Sequence, residues 1–383
     1  MKTTARRLES VQEYYFSRKL REVAARVKAG QPIINMGIGS PDLPAHPFVI
    51  SALEKALSHP RAHMYQSYQG LPELREGISD FYKTHYQVAL DPNSEVLPLM
   101  GSKEGIMHIS MAFLNPGDQV LIPNPGYPTY AAVTRLMEAE AVCYELAERN
   151  NWQPDFAALE KLDTSKVKIM WVNYPHMPTG TDVDPAVFDR LIAWAKAREI
   201  LLVNDNPYSF VLTDKPQSIL SRPGAKEVAL ELNSLSKSFN MAGWRVGMLS
   251  GKVETIQSVL KVKSNMDSGM FYGIQQGAIA ALKMNQSWFD ELNQIYHRRR
   301  TLVEKLANRL GAQFDSNSVG LFVWAKLPQG AKDSETYIDK ILDEQHVFIT
   351  PGTIFGSQGE GYIRFSLCVP EETIVEVLKR FES

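Results

Sequence analysis

The chain has 383 residues, of which 44% are apolar and 22% charged, and its net charge at pH 7 is −2. The length exceeds one comfortable core, so two domains of a soluble globular protein are expected. The near-neutral charge gives no electrostatic reason to expect nucleic acid or an anionic membrane as a partner.

Neither targeting segments nor metal-ligand spacings stand out. No apolar run approaches the roughly 18 residues of a membrane helix, and no apolar core follows the basic start, so a secretory signal is not indicated and a cytoplasmic protein is expected. The two cysteines, Cys143 and Cys368, lie far apart in apolar, strand-like runs. We expect buried free thiols and no metal site.

The first ninety residues carry helical patterns around one short strand. Apolar spacing predicts helices over 11–28, 47–57 and 71–85, and a strand over 32–39. Gly37 and Gly39 do not begin a dinucleotide fingerprint, because Pro41 and Asp42 follow where a third glycine should open a helix.

From about Val96 apolar strands alternate with helices. Strands are predicted over 96–100, 119–123, 140–146, 168–173, 200–205, 228–232 and 246–250. Helices are predicted over 103–114, 130–138 and 185–198. This alternation indicates an α/β fold with a mostly parallel sheet, in which ligands bind beyond the carboxyl ends of the strands.

The last third predicts long helices and then a smaller α+β unit. A helical stretch over 253–282 is interrupted at 265–269, and the helix over 288–310 carries Arg298-Arg299-Arg300, which we interpret as a solvated face. Short strands over 321–327, 347–350 and 362–367 then alternate with two helices. We expect an N-terminal arm over 1–46 that is part of the small domain, a large domain over 47–285 and a small C-terminal domain over 286–383.

One lysine is placed unusually. Lys237 follows the apolar run 228–232 among small hydroxyl residues, and Arg245 comes eight residues later, after a Gly-Trp pair. The residues around Lys237 are largely apolar, namely Leu235, Phe239, Met241 and Trp244. A desolvated lysine near another cation has a lowered pKa and becomes a usable nucleophile.

Other chemical groups are predicted at neighbouring strand ends. Asp205 ends a buried strand, where a carboxylate is costly unless it meets a cation, and the phenol of Tyr208 follows three residues later. Ser102 stands as an N-cap candidate at the start of a helix that offers backbone N–H groups to a phosphate. A lysine, a carboxylate, a phenol and a phosphate site together match one cofactor, pyridoxal 5′-phosphate.

The sequence resembles the class I and II aminotransferases of fold type I over nearly its whole length. The most specific motif is the stretch 234–247, Ser-x-Ser-Lys-Ser-Phe-x-Met-x-Gly-Trp-Arg-x-Gly. The resemblance implies that Lys237 forms the Schiff base and that Asp205 and Tyr208 bind the pyridine nitrogen and the phenolic oxygen. It also assigns cofactor-binding roles to Gly101, Ser102, Lys103, Tyr127, Asn173, Ser234, Ser236 and Arg245.

The resemblance further implies the substrate contacts and a partner. Arg364 matches the arginine that grips the substrate α-carboxylate, and Gly39 matches a backbone contact to it. Tyr65 matches the tyrosine that reaches the phosphate of a neighbouring subunit, which implies a homodimer with shared active sites. Tyr15, Lys103 and Met270 are candidates for the side-chain pocket.

The chain departs from the family at one position. The family usually reads Asn-Asn-Pro-Thr-Gly, and its second asparagine donates to the phenolic oxygen, whereas this chain has His176-Met177-Pro178-Thr179-Gly180. A thioether cannot donate. Tyr208 is then the main remaining donor unless Asn173 or His176 turns inward, and we expect the pKa of the Lys237 Schiff base to be higher than in a Met177→Asn variant.

The resemblance implies ping-pong transamination between an L-amino acid and a 2-oxo acid through Lys237. The same fold also hosts C–S β-lyases, which form the alternative. A regulator with an aminotransferase-like half is disfavoured, because about 30 residues before Pro32 leave no room for a helix-turn-helix domain. A nucleotide-binding α/β enzyme is also disfavoured, because the sequence contains no Walker or dinucleotide-binding fingerprint.

The sequence does not identify the amino-acid donor. The motifs over 124–128 and 265–269 look similar to the diaminopimelate and aspartate/methionine branches of the family.

Overall fold

Buried strands alternate with helices from Val96 to Gly251, as the apolar pattern predicts, in a computed structural model that describes residues 4–9 and 15–382. The helices of these residues are α1 Tyr15–Lys28, α2 Pro47–Ala56, α3 Pro72–Tyr86, α4 Ser102–Phe113, α5 Thr129–Leu136, α6 Phe156–Leu159, α7 Pro185–Ala197, α8 Ala225–Val228, α9 Leu235–Ser238, α10 Val253–Lys263, α11 Tyr272–Leu282, α12 Gln286–Arg309, α13 Ser334–Gln345 and α14 Glu371–Arg380. None of the helices in this part of the chain is long and apolar enough to span a bilayer.

The strands are short and mostly buried. They are β1 Ile34–Asn35, β2 Val96–Leu99, β3 Gln119–Asn124, β4 Glu140–Glu145, β5 Val167–Val172, β6 Leu201–Asp205, β7 Ala229–Ser234, β8 Gly247–Gly251, β9 Gln313–Phe314, β10 Phe322–Lys326, β11 Val347–Phe348, β12 Thr350–Pro351 and β13 Tyr362–Ser366. All of them except β9 overlap the ranges that the sequence predicts, with ends that differ by at most two residues in β3, β5, β7, β8 and β12. The helical stretch over 253–282 is broken between α10 and α11, as predicted.

Seven strands form the central sheet in the order β2-β8-β7-β6-β5-β3-β4. β8 runs antiparallel to both of its neighbours, and the other pairings are parallel. The predicted α/β fold with a mostly parallel sheet is therefore confirmed. Every residue of β7 is buried, as expected of a strand covered on both faces.

Successive side chains of each strand enter different cores. Leu230 and Leu232 of β7 pack in the cluster formed with α4, α5 and α10, whereas Ala229 packs in the larger cluster on the other face. This is the period of two that a pleated strand imposes. Helices therefore cover both faces, and the loops at the strand ends are left to form a site.

The smaller sheets lie in the N- and C-terminal parts of the chain. β12, β13, β10 and β9 form an antiparallel sheet in that order, and β1 pairs in parallel with β11. Lys19 of α1 pairs with Asp339 of α13 at 2.7 Å. The N-terminal arm is thus joined to the C-terminal part of the chain.

Two surface expectations are wrong. Arg298 is solvated, but Arg299 and Arg300 are only 3% and 7% exposed, because the helical twist of α12 turns consecutive side chains to different faces. Arg299 is paired with Asp42 through two contacts of 2.6 and 2.8 Å, which compensates its burial. Cys143 lies exposed on the edge strand β4, whereas Cys368 is buried as predicted.

Candidate active site

The carboxyl edge of the central sheet opens into a cavity of about 490 Å³. β2, β3, β5, β6 and β7 all end there, and β8 begins there because it runs the other way. The parallel arrangement thus brings together loops from distant parts of the sequence. The cavity is lined by Phe16, Gly39, Ser102, Lys103, Tyr127, Asn173, Met177, Asp205, Pro207, Tyr208, Ser234, Ser236, Lys237, Ala242, Arg245, Phe322, Ile354, Phe355 and Arg364.

Lys237 lies on α9, the single helical turn that follows β7. Ser234 caps this turn by accepting a hydrogen bond from the Ser236 N–H at 3.1 Å, so the lysine is held close to the strand end. Its Nζ donates to the carbonyl of Gly39 at 2.5 Å. Burial lowers the pKa of Lys237, and the guanidinium groups of Arg364 and Arg245 lower it further. A neutral amine is thereby favoured.

Asp205 is a buried carboxylate with one satisfied oxygen. Its Oδ2 accepts a hydrogen bond from the Tyr130 hydroxyl at 2.8 Å, and the Tyr130 ring stacks on Trp171 at 5.0 Å. Its Oδ1 is buried without a hydrogen-bond partner among the described residues. Burial raises the pKa of Asp205 to about 6, although the Tyr130 hydroxyl opposes this shift. An open carboxylate oxygen beside the cavity fits a cationic ring nitrogen.

An anion cradle is formed where α4 begins. Gly101 has φ of +93° and caps the helix, and a Cβ there would collide with the guanidinium of Arg245. Ser102 is therefore the first helical residue and not the predicted cap. The helix N-terminus, the hydroxyls of Ser102, Ser234 and Ser236, and the Arg245 guanidinium all line the cavity. Such a group of donors fits a phosphate.

The loop after β5 leaves Tyr208 as the phenol donor of the cavity. Asn173 donates from Nδ2 to the Asp205 carbonyl at 2.5 Å and accepts from the Met177 N–H at 3.0 Å, so its amide is occupied by backbone. His176 is buried with its Nδ1 2.8 Å from the Thr179 hydroxyl, and burial lowers its pKa to about 3. Met177 lines the cavity and offers no hydrogen to donate. Burial raises the pKa of Tyr208, so its hydroxyl keeps its proton.

Arg364, on β13, packs over two phenyl rings. Its guanidinium carbon lies 3.8 Å from the Phe322 ring centre and 4.6 Å from that of Phe355. Its Nη2 donates to the Gly37 carbonyl at 2.9 Å, and its Nη1 lies 3.3 Å from the Met177 sulfur. Stacking fixes the plane of the guanidinium fork, which suits a carboxylate.

Three of the predicted site residues whose side chains the structure describes do not line the cavity. Gly101 lies behind Arg245, and Met270 is buried elsewhere. Tyr65 is 90% exposed on a separate surface. Tyr15 begins α1, but its side chain lies outside the described part of the chain. The other predicted residues are brought together in the cavity, with Lys103 exposed at its margin.

Sequence reasoning missed the apolar walls of the cavity and the partner of Asp205. Phe16, Phe322, Ile354 and Phe355 line the cavity, but isolated apolar residues in strand and turn patterns carry no signal that separates a site wall from a core. Tyr130 comes three residues after the predicted Tyr127, in the first turn of α5. That spacing is the signal that could have found it.

The chain is similar to known proteins over nearly its whole length. The model of the family "Aminotransferase class I and II" matches residues 31–381. The LL-diaminopimelate aminotransferase of Aquifex aeolicus is 38% identical over 379 residues, which cover 98% of each chain. That of Oleidesulfovibrio alaskensis is 41% identical over 385 residues, 100% of this chain and 99% of the relative. The substrate-bound structure of BacF from Bacillus subtilis has a TM-score of 0.94 at 36% identity and covers 99% of this chain and 97% of its own.

Proposed function

The chain belongs to the class I and II aminotransferases, and from that membership we propose which residues do the chemistry and which donor they act on. The protein is a pyridoxal-phosphate-dependent aminotransferase that moves the amino group of an L-amino acid to a 2-oxo acid. The two curated relatives reported above are named LL-diaminopimelate aminotransferases, and neither supports the C–S β-lyase alternative.

The observation that carries the assignment of residues is the open Asp205 oxygen in the same cavity as the Lys237 amine. Pyridoxal phosphate supplies an aldehyde for the substrate amine and a ring that accepts electrons when the α-proton leaves. Asp205 would pair with the ring nitrogen, and Tyr208 would donate to the ring oxygen. Tyr127 would stack on the ring, and the phosphate would be held by Gly101, Ser102, Lys103, Ser234, Ser236 and Arg245, with Asn173 fixing the loop beside it.

Lys237 would move the proton. Since burial lowers its pKa, its Nζ is available as a neutral base for the substrate α-proton and can return that proton from the same side. The hydrogen bond from Nζ to the Gly39 carbonyl holds the amine in place before substrate arrives. Arg364 would grip the α-carboxylate with its stacked fork. Because one site serves donor and acceptor in turn, ping-pong kinetics are expected.

We place LL-diaminopimelate as the donor. The names of the curated relatives support this choice, and so do the charges of the cavity. Lys103 lines the same cavity as Arg364 and has no ion pair or hydrogen bond from its side chain to the described residues. A donor with an amino-acid group at each end could place one carboxylate on Arg364 and the other near Lys103.

A neutral, apolar donor is the second candidate. Phe16, Ile354 and Phe355 line the cavity, and apolar walls favour burial of an apolar side chain by about 25 cal/mol per Å². Such a donor would leave Lys103 without a role in donor binding, so that it would act on the cofactor phosphate alone. The two candidates therefore differ in what Lys103 contributes.

A donor panel decides between them. The protein loaded with cofactor is incubated with 2-oxoglutarate and LL-diaminopimelate, L-aspartate, L-leucine or L-phenylalanine, and glutamate is measured. We expect LL-diaminopimelate to give the highest kcat/KM. A Lys103→Gln variant saturated with cofactor should raise the KM for that donor by roughly fivefold, as for a partly exposed ion pair, and leave the KM for L-leucine unchanged. Higher activity on neutral donors contradicts the proposal. Pyruvate with ammonia from L-cystathionine, which carries a β-sulfur leaving group, would indicate a lyase.

We also propose a homodimer of two-domain subunits, with domains divided at about 46 and 285 as the pattern indicates. Loops 63–66 and 268–271 meet around a surface hollow of about 250 Å³, where Met64 and Tyr65 are 61% and 90% exposed. Apolar exposure of this kind favours an interface. If Tyr65 completes the partner's site, mixing Tyr65→Ala with Lys237→Ala subunits should restore activity above either variant alone. No recovery in proven mixed dimers contradicts shared sites.

A further inference from the structure

The end of β3 and the loop after it form hydrogen bonds with the distant segment 354–358. Asn124 is the last residue of β3, and its carbonyl accepts a hydrogen bond from the Leu146 N–H at 2.8 Å, which ties it to the end of β4. The side chain is 6% exposed. Asn124 has none of the roles assigned above, because it belongs neither to the cavity lining nor to the anion cradle.

Both ends of the Asn124 amide are used on the segment 354–358. Its Nδ2 donates to the Ser357 hydroxyl at 2.8 Å, and its Oδ1 accepts from the Gln358 N–H at 3.1 Å. Nearby, the Gly126 N–H donates to the Phe355 carbonyl at 2.8 Å. Gly356 has φ of +126°, and a Cβ there would collide with the Asn124 side-chain oxygen. The segment is therefore wrapped closely around this amide.

The gripped segment is one wall of the cavity. Ile354 and Phe355 line it, and Phe355 also packs on the Arg364 guanidinium at 4.6 Å. Phe322, which also lines the cavity, belongs to β10 and is registered against Ser366 of β13. Phe322 is thus positioned by a strand ladder. The Ile354 wall lies in a short 3₁₀ turn that follows β12, and the contacts from Asn124 and Gly126 hold the C-terminal end of this turn.

We propose that Asn124 is a positioning residue that sets the substrate side-chain preference by fixing the wall of Ile354 and Phe355. The inference rests on the proposed function, since it takes the donor side chain to lie in this cavity. Asn124 acts through the segment 354–358 and does not contact the reacting atoms. A displacement of about 1 Å in such a wall changes rates by up to about 10²-fold.

The test compares the wild-type holoenzyme with Asn124→Ala on a series of donors of increasing length: L-alanine, L-2-aminobutyrate, L-norvaline, L-norleucine and LL-diaminopimelate. We expect kcat/KM for the best donor to fall roughly 10- to 100-fold, mostly through KM. The dependence of kcat/KM on chain length should flatten. Cofactor affinity and the visible spectrum should be unchanged, since the anion cradle and Asp205 are untouched.

Two further variants keep the test decisive. Gly356→Ala retains Asn124 but pushes the segment away, so it should flatten the same dependence even where Asn124→Ala folds poorly. Gln358→Ala is the matched control and should behave as wild type, because Gln358 enters the contact through its backbone N–H. An unchanged chain-length dependence in both variants, or a lost cofactor spectrum with selectivity intact, overturns the proposal. Inactivity of the wild type with every donor would instead refute the proposed function.

Discussion

Asp205 and Glu231 are buried carboxylates on adjacent strands, β6 and β7, and only one of them is fully satisfied. Glu231 is 0% exposed and accepts hydrogen bonds from the Tyr82 hydroxyl at 3.0 Å, the Asn204 amide at 3.1 Å and the Ile219 N–H at 3.0 Å. Asp205 is 5% exposed and accepts from the Tyr130 hydroxyl alone, while its other oxygen has no partner among the described residues.

The difference separates a structural carboxylate from a functional one. Burial raises the pKa of both groups, so burial and pKa direction do not tell them apart. The number of donors does. Glu231 stabilises the fold because each of its oxygens is used, and three buried donors depend on it. Asp205 stands at the cavity with one oxygen open, which is costly for the fold and useful only when a cationic ligand binds.

Removing the charge at Asp205 should therefore affect activity most. In Asp205→Asn we expect kcat/KM to fall by roughly 10³-fold, because a buried charge pair to the cofactor ring contributes several kcal/mol. The cofactor-free protein should be at least as stable as the wild type. Steady-state kinetics and thermal unfolding measure the two effects. An Asp205→Asn variant that is inactive because it is unfolded, or one that retains full activity, would contradict the view that Asp205 is functional and Glu231 structural.

Substitutions of Glu231 should mainly reduce stability, in contrast to Asp205→Asn, which should mainly reduce activity. Glu231→Leu leaves buried donors of Tyr82, Asn204 and Ile219 unsatisfied, so we expect a loss of about 3 kcal/mol or more in unfolding free energy. Glu231→Gln should cost much less, since the amide oxygen can face the Asn204 and Ile219 donors and the Tyr82 hydroxyl can turn to accept. Urea unfolding of cofactor-free protein measures both. A Leu variant as stable as the Gln variant would show that the three donors find other partners.

The open Asp205 oxygen should also appear in the pH dependence of stability. Without cofactor, the folded-state pKa of Asp205 is about 6, against 3.8 as its ordinary value, so the folded chain binds this proton more tightly than the unfolded chain. Its contribution is fully present below about pH 4 and is lost as pH rises through 6, amounting to about 3 kcal/mol. The difference in unfolding free energy between wild type and Asp205→Asn isolates it, because Glu231 is common to both. A difference that does not vary with pH excludes the raised pKa.

The sequence predicts which strand ends meet at the cavity, but it does not predict the hydrogen-bond donors around the two carboxylates. The strand ends that carry Lys237, Asp205 and Ser102 were predictable, because alternating strands and helices place those ends at one edge of a sheet. The role of Glu231 is not predictable from the sequence, since one charged residue in an apolar run does not reveal its partners. Tyr82 and Asn204 reach it from 149 and 27 residues away, and the wall of Ile354 and Phe355 is gripped by Asn124 across more than 200 residues. Such contacts depend on tertiary packing.

The smallest expected effect concerns Met177. Around Glu231 the fold supplies every donor, whereas the cavity carries a thioether where the family has an amide donor. Asn173 and His176 do not replace that donor, since the amide of Asn173 is bonded to backbone and His176 does not line the cavity. In Met177→Asn a restored donor should lower the pH at which the absorption of the bound cofactor changes, by roughly half to one unit for one hydrogen bond. Met177→Leu is the control of similar size and should titrate as the wild type. If all three proteins titrate together, Tyr208 alone satisfies the ring oxygen, and the missing amide has no electrostatic consequence.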